Sequence, residues 1–338
     1  MHPAPQAPYF DASHHAWVLS RYCDVVAALR DPHLWPGATS AGDQPAIRDD
    51  AGRLQLRAPS QEALSAELVA RCQARMEPLA GSLLQSLPPD SAVDLLTAFA
   101  LPWCREFAFY VVQADPSARQ QLAQLGEEVF AATGAPDESP LRPRAAAATA
   151  ELERLLAGGP MPMGEPTFIA ISQTTPRLLA SIWLALLRHP AEAQRLRANP
   201  DLWPSAVDEL LRYAGIVRRI WRHAREPVSL AGLHLEKGQR IMLLLGSANR
   251  DPAQFAAPDR LDVTRRVSGQ LALGAGRNSC IGTALIRMIV IVATRALLRE
   301  FPEVALCEEP EWRSGSGYAF PAKLPVALHC KPRTAVFT

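Results

Sequence analysis

Charge of one sign is what this 338-residue chain has least of: 35 lysines and arginines stand against 34 acids, a formal net charge of +1. That balance gives no electrostatic reason for nucleic acid or an anionic membrane to be a main partner, and neither is expected. Paired cysteines are missing as well. The six cysteines, Cys23, Cys72, Cys104, Cys280, Cys307 and Cys330, are scattered without a C-x-x-C pair or a zinc-like His/Cys spacing. This argues against a disulfide framework or structural zinc and for a reducing, cytoplasmic setting. The first ten residues are rich in proline and carry no basic stretch followed by an apolar one, so no signal peptide is expected. The most apolar run, residues 288–293, is far too short to cross a bilayer. There is no internal repeat, and no low-complexity tract beyond residues 145–148. What remains, 48% hydrophobic and 20% charged, is an ordinary globular composition with ample material for a core.

The pattern of that material is mainly helical. Residues 16–22 read as a short strand and 24–30 as a helix that Asp31-Pro32 ends. A polar stretch, 36–52, lacks periodicity and reads as a surface loop. Helical spacing then runs from 59 to 87 through Leu64, Leu68, Cys72, Met76, Leu79 and Leu83, up to Pro88-Pro89. Residues 94–112, 118–132 and 144–156 are further helices, and the Gly/Pro-rich segment 158–164 is a loop. Residues 167–188 are strongly apolar and helical with Pro176 inside. Proline cannot donate to the carbonyl four residues back, so the ladder should open around 172–176, a turn containing Gln173 and Thr174. Such a break serves either as a packing kink or as an opening over a reactive centre. Helices follow at 190–198 and 204–213, the second with Glu209 and Arg212 three apart on one face. Strands are expected at 228–230, 233–235, 241–244 and 323–328, around an irregular segment, 252–266. One small sheet is expected from the first strand, those after residue 217 and the last.

The most informative stretch is Leu271-Ala272-Leu273-Gly274-Ala275-Gly276-Arg277-Asn278-Ser279-Cys280-Ile281-Gly282. Glycines let a backbone turn tightly and approach a flat ligand closely. The helix-favouring run 283–298 begins directly afterwards, and amides at a helix N-terminus stabilise a thiolate. The stretch is suited to present one sulfur, as an anion, to something planar or metallic. A buried structural cysteine in a glycine-rich turn is the plainer alternative.

Taken in order, four motifs resemble a bacterial cytochrome P450, a haem-thiolate enzyme, and the resemblance covers nearly the whole chain. The cysteine stretch is similar to the family's F-x-x-G-x-H/R-x-C-x-G loop, and Glu209-Leu210-Leu211-Arg212 to its E-x-x-R helix. The segment Ser247-Ala248-Asn249-Arg250-Asp251-Pro252 with Pro258-Asp259-Arg260-Leu261-Asp262 is similar to the one that meets the E-x-x-R pair. The helix around Gln173-Thr174-Thr175 stands in the place of the oxygen-binding A-G-x-D/E-T helix.

The resemblance implies a mainly α fold with a small β-sheet region, one haem-thiolate domain over 1–338, abbreviated at the N-terminus and before the central helix. It implies heme b, iron protoporphyrin IX, with Cys280 as iron ligand. Gly282, Gly274, Leu273 and Asn278 of the loop, and Ala170 of the central helix, would adjoin the cofactor. Arg222 and Arg57 would hold the propionates, with Arg53 replacing a histidine of the family pattern; solvated surface arginines are the alternative. Thr174 and Gln173 would manage oxygen and water, and Glu209 with Arg212 would be a buried structural pair. Several positions depart from the pattern. Leu273 replaces phenylalanine, Asn278 replaces histidine or arginine, and Ile171 and Gln173 replace glycine and a carboxylate. Glutamine orients water but cannot deliver a proton as an acid does. The activity implied is monooxygenation of a small apolar molecule, with electrons from a separate ferredoxin and ferredoxin reductase. Two alternatives stand beside it: a haem-thiolate enzyme that inserts no oxygen, working by peroxide-driven oxidation, dehydration or bond coupling, and a non-catalytic haem-binding protein.

Overall fold

The fold is organised around one long helix. In the computed structural model, which describes residues 3–36, 50–88, 92–133, 135, 139–315 and 317–328 (for 50–56 the backbone alone), Gly164–Ile169 leads through a π-turn at Ala170–Thr174 into Thr175–Arg188. Every side chain from Leu178 to Leu186 is buried, and a helix apolar on all sides belongs in a core. The turn lies just ahead of Pro176. Without a proline N–H the ladder loosens, and both the N–H and the hydroxyl of Thr175 bond the carbonyl of Ala170. Around this axis the Trp183 ring stacks on Phe99 at 5.6 Å and donates its indole N–H to Thr294 Oγ1 at 3.1 Å. The second contact joins the axis to the helix Thr283–Glu300, which follows the cysteine loop.

Most helices stand where the periodicity puts them, among them Tyr22–Arg30, Arg119–Ala131, Leu141–Leu156, Pro190–Ala198 and Trp203–Ala214. The run expected over 59–87 is two helices, Asp50–Ala63 and Ala66–Gln85. Ser65 divides them because its side chain caps the second, accepting from the Leu68 N–H at 3.2 Å. The loop expected at 36–52 is already helical from Asp50, and its residues 37–49 lie outside the described residues.

The strands differ more from expectation. A five-stranded sheet runs in the order Tyr9–Asp11, Ala16–Leu19, Arg240–Leu243, Ile220–Ala224, Leu34–Pro36, with one parallel pairing, between Ala16–Leu19 and Arg240–Leu243. The C-terminal strand Pro325–Ala327 is not part of it and instead pairs with Ala92–Asp94 and Ala305–Leu306. Val228–Leu230 and Leu233–Leu235 form a separate hairpin, as do Trp312–Gly315 and Tyr318–Pro321. One face of the large sheet carries Leu19, Leu34, Ile241 and Leu243 and packs with Val25 and Leu29 of Tyr22–Arg30. The other carries Val18, Trp221 and Met242. Among the described residues no helix is long and apolar enough to cross a membrane.

Glu165, at the start of the central helix, is buried, and burial together with the charge of Glu153 pushes its carboxyl from 4.5 up to about 7. Between those two values the folded chain keeps a proton that the unfolded chain has lost. The contribution of Glu165 to stability therefore falls as pH rises through this window and stays low above it. Glu165→Gln is expected to match the parent near pH 4 and to exceed it near pH 8 by roughly 1–3 kcal/mol, a difference that urea unfolding at the two pH values measures.

Candidate functional site

The cysteine loop is fixed at its root by a side chain and closed by its own backbone. The Leu271 N–H is fixed by Asn249 Oδ1 at 2.8 Å, and the Cys280 N–H bonds the Leu273 carbonyl at 2.8 Å, closing the loop between them. Gly276 lies at φ +69°, and a Cβ there would come within 2.7 Å of the Leu29 carbonyl. Only glycine lets the loop lie this close to the helix Tyr22–Arg30. Beyond the cysteine, the Thr283 hydroxyl donates to the Cys280 carbonyl at 2.7 Å and the helix begins.

The sulfur has its own electrostatic setting. Burial pushes the Cys280 thiol up from 9.0, while the Gly282 N–H bonded to the sulfur and the nearby charge of Arg57 act in the opposite sense. Arg57 Nη2 donates to the carbonyl of Ser279, the residue before the cysteine, at 2.6 Å. Cys72 and Cys104 are different: both lie in the apolar core, where burial holds the thiols neutral, that of Cys72 up at about 11. Cys23 and Cys307 are exposed, and Cys330 lies outside the described residues.

Arg57 is thus brought to the loop by the helix Asp50–Ala63. Arg53 is one turn earlier on the same helical face; its side chain lies outside the described residues. Arg222 is buried on the strand Ile220–Ala224, with Nη1 bonded to the Trp221 carbonyl at 2.8 Å. By strand alternation it shares a face with Ile220 and Ala224, the face against which Leu271 and Ala275 of the cysteine loop pack. Asn278 ends the short turn Gly276–Asn278, Leu273 packs half-buried on the core, and Gly274 takes φ +73°.

The π-turn sorts its residues onto two sides. Ala170 is exposed and Thr174 half-exposed, four residues apart, so an otherwise buried helix has one open stripe of small side chains. Gln173 is fully buried and not on it. Its amide lies against Gly126, where a Cβ would come within 3.3 Å of Gln173 Nε2. Arg177 Nη1 donates to the Gln173 carbonyl at 2.6 Å and to its Oε1 at 3.3 Å. The Arg177 guanidinium lies 3.9 Å over the Phe130 ring, and burial pulls it down to about 10. Sequence reading passed over Arg177; its only signal was the four-residue spacing from Gln173 across Pro176.

The Glu209–Arg212 pair has no solvent exposure. Arg212 grips Glu209 with two bonds, at 2.7 and 2.9 Å, and sends Nη1 to the carbonyls of Asn249 at 2.7 Å and Pro258 at 2.8 Å. Since Asn249 also holds Leu271, the pair anchors the root of the cysteine loop. This donor set suits a haem: one sulfur for an axial position, guanidiniums for two carboxylates, and small side chains along the open stripe.

Comparison with known proteins agrees with that chemistry. The family model described as Cytochrome P450 matches residues 179–315. The chain is 30% identical to Cytochrome P450-SU2 of Streptomyces griseolus, over 96% of this chain and 90% of that one. It is 29% identical to Cytochrome P450 107B1 of Saccharopolyspora erythraea, over 92% and 89%. The crystal structure of the cytochrome P450 enzyme CYP109B1 from Bacillus subtilis shares the fold with a TM-score of 0.84, at 20% identity over 95% of each chain.

Proposed function

Because this chain belongs to the cytochrome P450 family, we propose that it is a monooxygenase of a small, largely apolar molecule, fed with electrons by a ferredoxin and its reductase. Family membership makes it an oxidoreductase that binds protoporphyrin IX haem. Bound through a cysteine thiolate, haem supplies reductive activation of dioxygen, the sulfur's electron density favouring O–O cleavage.

In this reading the whole chain, 1–338, is one haem domain and Cys280 is the iron ligand. The Gly282 N–H tempers the donation of the sulfur. Arg57, Arg222 and Arg53 hold the propionates, and Leu273, Gly274 and Asn278 shape the loop along the cofactor. Ala170 leaves room on the open stripe, where the Thr174 hydroxyl orients water and passes a proton. Gln173, buried off that stripe beside Gly126, supplies no proton there. The observation that carries the reading is the setting of Cys280, a sulfur bonded by the Gly282 N–H just ahead of the helix Thr283–Glu300 and close to the charge of Arg57, which donates to the carbonyl of Ser279. Candidate ligands that shift the spin state of the loaded protein should be oxidised when reduced ferredoxin is supplied. Spin-shifting ligands that are never oxidised would sink the proposal.

A second reading, oxidation driven by peroxide, is favoured by one feature: an amide gripped by Arg177 stands where an acid would deliver protons. Product formed with peroxide and none with reduced ferredoxin would select it. Gln173→Glu separates the two further, since its carboxylate would gain Arg177 as an ion partner. A gain of several-fold in product per reducing equivalent is expected; no gain means that the missing acid is not limiting.

A further inference from the structure

The large sheet has a second use for its other face. Opposite the side that bears Arg222, Met242 and Leu244 form the floor of a cavity of about 760 Å3. Its walls come from the last turns of the central helix, the end of Trp203–Ala214, the link that carries Arg218 and Arg219, and the hairpin around Tyr318. Cys280, Thr174, Arg57 and Arg222 are not among the lining residues, so this space is distinct from the thiolate centre.

Its charge is lopsided. Arg188, Arg218, Arg219 and Arg250 face it, against one acid among the described residues, Asp11, whose carboxylate is already taken by Ser13 and His14. The acids that pair with Arg188 and Arg250 are Glu309 and Asp259, 65% and 88% exposed, so water screens much of their charge. Arg218 stands half-buried in the cavity beside Arg250. On the same wall the buried Ser247 Oγ has no hydrogen-bond partner among the described residues. Aromatic and apolar surface completes the lining: Tyr213, over which Arg250 lies at 4.1 Å, Tyr318, Leu184, and the exposed Trp312 and Tyr9 at the rim.

We propose that this cavity is a second ligand site, which takes a small organic carboxylate with an aromatic or aliphatic body. Arg219 and Arg218 hold the anion, Arg250, whose Nη1 and Nη2 donate to Asp259 and to the Tyr213 carbonyl, adds its charge beside them, and the aromatic walls hold the rest. Guanidinium forks match a carboxylate in shape and charge, and the volume falls within the range of roughly 300–1,000 Å3 typical of small-molecule sites. The Ser247 hydroxyl is placed to give the bound anion a further donor.

The test is calorimetric titration of the haem-loaded full chain with 4-phenylbutyrate and with its neutral amide, the iron being capped by imidazole. Because the iron is already ligated, this binding does not depend on the proposed oxidation. The carboxylate should bind one to one, at least about tenfold tighter than the amide, and leave the imidazole spectrum unchanged. Arg219→Gln, at a half-exposed side chain, and Arg218→Gln should each remove most of that preference. Equal binding of acid and amide, no binding of the acid, displacement of imidazole, or a preference that survives Arg219→Gln would each overturn the proposal.

Discussion

Arg212→Met is expected to yield little or no stable, haem-loaded protein. The substitution takes a guanidinium from a position with no solvent exposure and leaves the Glu209 carboxylate buried, with Arg265 and the Asp262 N–H as its remaining partners. It also removes the donor to the carbonyls of Asn249 and Pro258. Breaking a buried pair on one side costs about 3–5 kcal/mol, a large share of the roughly 5–15 kcal/mol that keeps a domain folded. The damage should spread to the cysteine loop, because Asn249 holds Leu271 at its root. Arg212→Lys should rescue little, since a point charge cannot replace five directed bonds, the fifth to the Arg260 carbonyl. Replacing both partners with apolar residues, Glu209→Leu with Arg212→Met, should recover part of the loss because no charge is left stranded. Urea midpoints and haem content of the three variants measure this; a single variant with the parent's midpoint would show that the pair is not structural.

Cys280→Ser should fold and yet lose its chemistry. The two side chains are nearly the same size, and the loop is held by backbone bonds to Leu273 and by the Thr283 hydroxyl rather than by the sulfur. Its unfolding midpoint should therefore stay close to the parent's. Removing a group that merely supports a metal ligand typically costs about 10–100-fold, so loss of the ligand itself should lower reductant-driven oxidation by roughly a hundredfold or more. Loss of folded protein in place of this selective effect would mean that the cysteine is a core residue like Cys72 and Cys104.

What the sequence disclosed was local. Pro176 marks the π-turn because a missing N–H acts within one turn, and helix limits follow from periodicity and caps over a few residues. The family resemblance brought the segments around Asn249 and Pro258 to the Glu209–Arg212 pair, and the structure supplies the individual bonds. Long-range pairing was much less legible. The strand Ile220–Ala224, which carries Arg222, has no apolar alternation, its Trp-Arg-His centre reading as a polar link, and it was not foreseen. The last strand was assigned to the wrong sheet, since its partner Ala92–Asp94 is three residues long and more than two hundred residues away. Side-chain direction was hidden too: Gln173 and Thr174 are adjacent in sequence, yet one is buried beside Gly126 and the other lies on the open stripe. The arginine-lined cavity draws its walls from five separate stretches of chain, and no local pattern announces such a space.

The ferrous–carbon monoxide spectrum of the haem-loaded chain, recorded beside that of Cys280→Ser, is the most direct test that Cys280 binds iron as a thiolate. The parent should give the red-shifted Soret band that marks a thiolate ligand, and the serine variant should lose it while keeping the unfolding midpoint of the parent. The same thiolate-type band in both proteins would contradict the assignment.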